Sequence, residues 1–232
     1  SLVTNLAGAA ISALSSTQIQ SLSTSHINVL SATQIKDLSA SAIGSMTTTQ
    51  INNLSDTQVK LLSANQLSGL STSQVANLST GKLSLLSASQ LAAFDSNDMA
   101  ALTTSQKTGL GTAQLKALTA VQVGAMSADL VDSLTATQFK QFSNTQIAAL
   151  STGAVAKLTA AKVNELTATQ IKSFTTTQVA ALSTNVTGSL NTSSLAALST
   201  TQVSVLATNV LANLTTTQTT ALTTDQVKAL NS

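Results

Sequence analysis

Catalysis needs titratable or nucleophilic side chains that converge, and this chain of 232 residues holds one histidine, eight acidic residues, ten lysines and no cysteine. A hydrolytic triad, a redox pair or a zinc site needs more than His26 can assemble, and His26 is read as a helix-cap residue. The densest group of oxygen ligands is Asp95, Asn97 and Asp98, and a functional reading of Asp95 to Gly111 is a weak cation site or a hinge. Calcium loops supply more oxygens at defined spacing. The preferred reading is therefore structural, with Asp95 as a helix N-cap, Asp98 in a first helical turn and Lys107 snorkelling its ammonium to water. The other close acidic residues, Asp129 and Asp132, are expected in a first helical turn and at an outward position. Nine dispersed glycines form no phosphate cradle. The expectation is a non-enzyme, with no catalytic residue, no metal ligand and no cofactor.

What positions these residues is an unbroken repeat of eight. Numbering each octad from its Ser or Thr, position eight is Leu, Met or Phe twenty-nine times in succession, from Leu6 to Leu230. Position one is Ser or Thr in twenty-three of the twenty-nine octads that begin between Ala7 and Asn231, and position four is Gln seventeen times in twenty-nine. Ser or Thr followed three residues later by Gln is the capping box, in which each side chain binds the other residue's backbone N–H. The Leu before each cap and the apolar residue four after it have the spacing of a hydrophobic staple. A helix start is therefore written every eight residues.

Position five is apolar in all but Lys107, Thr187 and Thr219. Positions five and eight share one face of a helix but opposite faces of a strand. One long helix fails, because eight residues at about 100° each leave a drift of about 80° per octad, and the apolar stripe would spiral away. The octads thus predict an all-α chain, an α-solenoid of very short helices, one per repeat, with Leu and Val or Ile inside. A β-solenoid competes on the strand preference of Thr, Val and Ile. Octapeptide arrays of ice-nucleation proteins share the period, but their Gly and aromatic positions are missing here. Phe94, Phe139, Phe142, Phe174, Met46, Met99 and Met126 all fall at inside positions, and positions two and three are small apart from Val121. Tight winding follows.

The register runs through residues 1–232 as one array, with Ser1 at position three and Ser232 at position two, so a segment of a longer array is expected. Net charge is +2, and six of the lysines (Lys36, Lys60, Lys116, Lys140, Lys172 and Lys228) share position six, an outward site. Nucleic acid would call for a dense basic face with Arg or aromatic contacts, and none is present. No apolar run reaches the roughly 20 residues of a membrane span. Five Asn-x-Ser/Thr sequons occur, three of them an automatic result of Asn before the Leu-Ser/Thr junction.

Octads such as SATQIKDL (31–38), SNTQIAAL (143–150) and TTTQVAAL (175–182) resemble octapeptide repeat regions of very large bacterial proteins, many of them surface-exposed or secreted. The resemblance covers the whole chain and carries over no catalytic or ligand residue. It implies an extracellular or cell-surface spacer or adhesin segment. The residues themselves lead to a structural spacer or stalk packed on flanking repeats of the same chain. The alternative is a repeat scaffold that binds a protein or glycan through exposed positions six and seven.

Overall fold

In the computed structural model, residues 2–206 and 208–230 are described, apart from the side chains at 2, 208 and 209. Every described element is helical. A 3-10 turn at Leu2–Asn5 is followed by short α-helices, one per octad, such as Ser16–Ser21, Ala40–Ser45 and Ala64–Leu67, and no strand occurs among the described residues. The expected α-solenoid is the observed fold, and the strand alternative is excluded.

Each helix begins where the caps were written. Ser31 Oγ accepts the Gln34 N–H at 3.2 Å while the Gln34 Oε1 accepts the Ser31 N–H at 3.0 Å, and the same box forms at Thr175 and Gln178. Each helix ends just as abruptly. In most octads the position-eight N–H bonds the position-five carbonyl, as from Leu22 to Ile19 at 3.2 Å and Leu54 to Ile51 at 3.2 Å, which tightens the last turn. The chain then runs extended through positions eight and one, for example Leu22 at φ −67°, ψ 132° and Ser23 at φ −70°, ψ 158°. No described residue has positive φ, so these helices stop without the left-handed glycine that ends many others. Two extended residues make the bend, which is why Ser, Thr and Leu suffice there.

Positions five and eight are buried along most of the chain, including the four phenylalanines and three methionines. The chain forms two compact units, the first ending at Leu118 and the second beginning at Thr119. In the first unit the helix Ala40–Ser45 packs on Ala64–Leu67, three octads later, and Gln66 of that later helix reaches back to Ile35 and Leu38. In the second unit Ala128–Ser133 packs on Thr152–Ala156, and Gln178 reaches Ile147 and Leu150. The partner of each such glutamine lies 28 to 31 residues back, so one superhelical turn within a unit takes about three and a half octads. Each helix packs chiefly on the helix three octads away, and its glutamine reaches the end of the helix four octads back.

Close approach of turns is sharpest at two glycines. At Gly44 an added Cβ would lie 2.1 Å from the Gly69 carbonyl oxygen, and at Gly69 one would lie 2.2 Å from the Ala40 carbonyl oxygen. Backbone meets backbone there, with no flexible side chain to give way. Gly69→Ala should therefore lower stability by about 1–3 kcal/mol through overpacking. Gly81→Ala, where nothing lies within 4 Å, should be stabilising by about 0.5–1 kcal/mol through helix propensity. Denaturant midpoints that move together for both variants would contradict the inter-turn contact.

Candidate functional site

The residues singled out as a cation site are turned to other work. Asp95 Oδ1 accepts the Asp98 N–H at 2.8 Å, and Asp98 Oδ2 accepts the Asp95 N–H at 3.2 Å, a capping box built from two carboxylates. Asn97 stays exposed while Asp98 is buried. Among the described residues no group of three or more His, Cys, Asp or Glu side chains is placed to hold a metal ion, and no cavity opens. Burial pushes the Asp98 carboxyl above its ordinary value of 3.8, against the lowering effect of the Asp95 N–H and of a hydrogen bond from Thr72 on the preceding turn.

Lys107 corrects the sequence reading. Its side chain does not reach water; the residue is 3% exposed, and its ammonium donates to the Ala100 carbonyl at 3.3 Å. The octad geometry explains this, since position five points into the core and a carbonyl at the end of the preceding helix lies nearer than solvent. Burial holds the Lys107 amine below its ordinary value of 10.5.

Several of the remaining chemistry-bearing side chains join neighbouring turns. Where Lys82 replaces Gln, its ammonium pairs with Asp56 at 2.8 Å, and this pairing holds the Asp56 carboxyl below the usual carboxylate range. Lys162, also at position four, donates to the Asp132 carbonyl and lies 3.5 Å from its carboxylate. Lys140 meets Glu165 at 3.2 Å. Two asparagines at position six act as clamps. Asn52 donates to the Asn77 carbonyl at 2.9 Å and accepts the Ser79 N–H at 2.7 Å, and Asn164 does the same with Ser189 and Asn191 at 3.0 and 2.9 Å. Sequence reasoning missed these clamps, because their partners lie 25 to 27 residues away. His26 contributes only its backbone N–H to the cap, donated to Ser23 Oγ at 3.2 Å. All six position-six lysines are exposed, as expected. In the sequons at Asn53 and Asn77 the side-chain amides are bonded back to Thr49 and Ser73 carbonyls at 2.9 and 2.8 Å.

Neither a protein-family model nor a characterised protein matches the chain. No helix among the described residues is long and apolar enough to cross a membrane.

Asp98 and Lys107 give opposite pH dependences. Because the folded pKa of Asp98 is raised, its burial penalty is present at neutral pH and is relieved as pH falls through that value towards 3.8. Denaturant midpoints of the wild type and Asp98→Asn should therefore differ at pH 7 and converge in acid; a gap that is constant with pH would contradict the assignment. For Lys107 the folded pKa is lowered, so the penalty is present at neutral pH and relieved as pH rises towards 10.5. Lys107→Leu should stabilise the chain by about 1–2 kcal/mol at pH 7 by removing a buried cation, with the gain shrinking in base. A destabilised Lys107→Leu would show that the ammonium is needed where it sits.

Proposed function

We propose that the chain is a non-catalytic structural repeat segment, an extended spacer or stalk of a large surface or secreted protein. The observation that carries this reading is where the polar side chains go. Glutamine amides, the Lys82–Asp56 and Lys140–Glu165 pairs, and the Asn52 and Asn164 clamps all bind the chain's own neighbouring turns. Side chains that would mark a ligand site in another fold are used here to hold successive turns together. A solenoid stabilised by nearest-neighbour contacts can gain or lose repeats without a change of fold. The resemblance to bacterial octapeptide arrays supports a role for such a spacer outside the cell.

Deleting Ser39–Phe94, seven octads and about two superhelical turns, joins Leu38 to Asp95 in register. With a fluorescent domain fused at each end, the deletion should leave helicity per residue unchanged. It should also shorten the donor–acceptor distance by about 20 Å, taking 8–10 Å per layer of packed helices. Tight binding of a defined protein or glycan by the intact chain, lost on replacing exposed residues such as Lys60 and Lys116, would overturn the spacer reading in favour of a binding scaffold.

A further inference from the structure

Asparagine stands at position six three times, at Asn28, Asn52 and Asn164. Two of the three are clamps, and both act on the same kind of place. Asn52 Oδ1 accepts the N–H of Ser79 and Asn164 Oδ1 accepts the N–H of Asn191, each the first residue of an octad and 27 residues further on. Neither of those octads has its glutamine, since Lys82 and Ser194 stand at position four. In a complete octad the position-one N–H donates to the glutamine of the same octad, as Ser55 does to Gln58 at 2.9 Å. At Ser79 and Asn191 that N–H would be an orphan of the helix start, and an asparagine on the preceding turn takes it instead, at 2.7 and 2.9 Å.

Asn28 is the control that the chain itself supplies. The position-one residue 27 beyond it is Ser55, whose N–H already goes to Gln58. Asn28 is exposed, its backbone carbonyl accepts Gln58 Nε2 at 3.4 Å, and its side chain bonds no later turn. The octads that begin at Ser39, Ser127, Ser151, Thr159 and Ser183 also lack the box. None of them has an asparagine 27 residues earlier. An asparagine clamp thus forms where a missing glutamine and a position-six asparagine coincide, and the signal lies outside any single octad.

We propose that the position-six asparagine is a stand-in for glutamine that acts in trans, capping from the preceding superhelical turn a helix whose own octad lacks the acceptor, and that Asn28 is held in reserve for Ser55. One carboxamide does both jobs in either case. Its oxygen takes the position-one N–H, and its nitrogen binds a second backbone group, the Asn77 carbonyl for Asn52 at 2.9 Å and the Ser189 carbonyl for Asn164 at 3.0 Å. Only the turn from which the amide hangs is exchanged. The two acceptors therefore compete for one N–H, and either is expendable while the other is present. An array built this way keeps its turns joined through the loss of a glutamine, whether or not it serves as a spacer.

Native-state amide exchange on the full chain, read at single residues by NMR, tests this. Asn52→Ala should speed exchange at Ser79 about fivefold through the loss of one hydrogen bond, but by less than about twofold once Lys82→Gln supplies an acceptor in the same octad. Asn28→Ala should leave exchange at Ser55 unchanged in the wild-type chain, yet speed it about fivefold in the Gln58→Ala background, where the reserve clamp is in use. Alanine already stands at position four at Ala42 and Ala154, so the Gln58→Ala chain carries a residue the fold accepts. An effect of Asn52→Ala that is the same with and without Lys82→Gln, or an Asn28→Ala that stays silent beside Gln58→Ala, would overturn the proposal.

Discussion

The fold depends on one side-chain carboxamide that does two things at once. A glutamine at position four uses its oxygen to cap its own helix and its nitrogen to bond carbonyls of the previous superhelical turn. Gln66 accepts the Ser63 N–H at 2.8 Å and donates to Ile35 and Leu38 at 2.7 and 2.8 Å. Helices of four to six residues leave most of their end groups without intrahelical partners. One buried amide satisfies groups at both ends, a start in one turn and an end in the turn before. Helix capping and tertiary packing, separate problems in longer helices, become one here.

Other features follow from that arrangement. The carbonyls at positions five and eight lie 31 and 28 residues before the glutamine, so the turn closes at about three and a half octads and helices stagger from turn to turn. Small residues at positions two and three let the turns come close. Each hydrogen bond contributes about 0.5–1.5 kcal/mol net, modest alone but repeated along an array whose octads cannot fold singly. Some positions where glutamine is replaced are bridged by another side chain, as Lys82 is to Asp56, Lys162 to Asp132 and Asp98 to Thr72.

Much of this was legible in the sequence. The spacing of positions five and eight fixed helix over strand, and Ser or Thr with Gln three later located the caps, because both signals are local. The size of the superhelical turn was not legible, since it is set by the second function of glutamine, acting across 28 to 31 residues. A signal was present nonetheless: Glu serves a capping box as well as Gln, yet position four is Gln seventeen times in twenty-nine. A carboxylate can accept the cap N–H but cannot donate to the turn behind. Lys107 was misplaced for a related reason, because snorkelling assumes water lies beyond the helix, whereas position five faces the core. The clamps of Asn52 and Asn164 left no mark in the octad pattern, since position six tolerates many residues.

The dual role of glutamine separates cleanly in two substitutions. Gln18 forms the same capping box as Gln66, with 2.8 and 3.3 Å bonds to Ser15, but it is exposed and, among the described residues, its side-chain nitrogen has no earlier turn to donate to. Changing either residue to Glu keeps the cap oxygen and deletes the donor. Measured by denaturant unfolding at neutral pH, Gln66→Glu should cost about 2–4 kcal/mol, for a buried charge set against two carbonyls. Gln18→Glu should change stability by less than about 0.5 kcal/mol, as for other surface substitutions. Equal losses at the two sites would show that glutamine acts through the cap alone and that the turns are held together by something else.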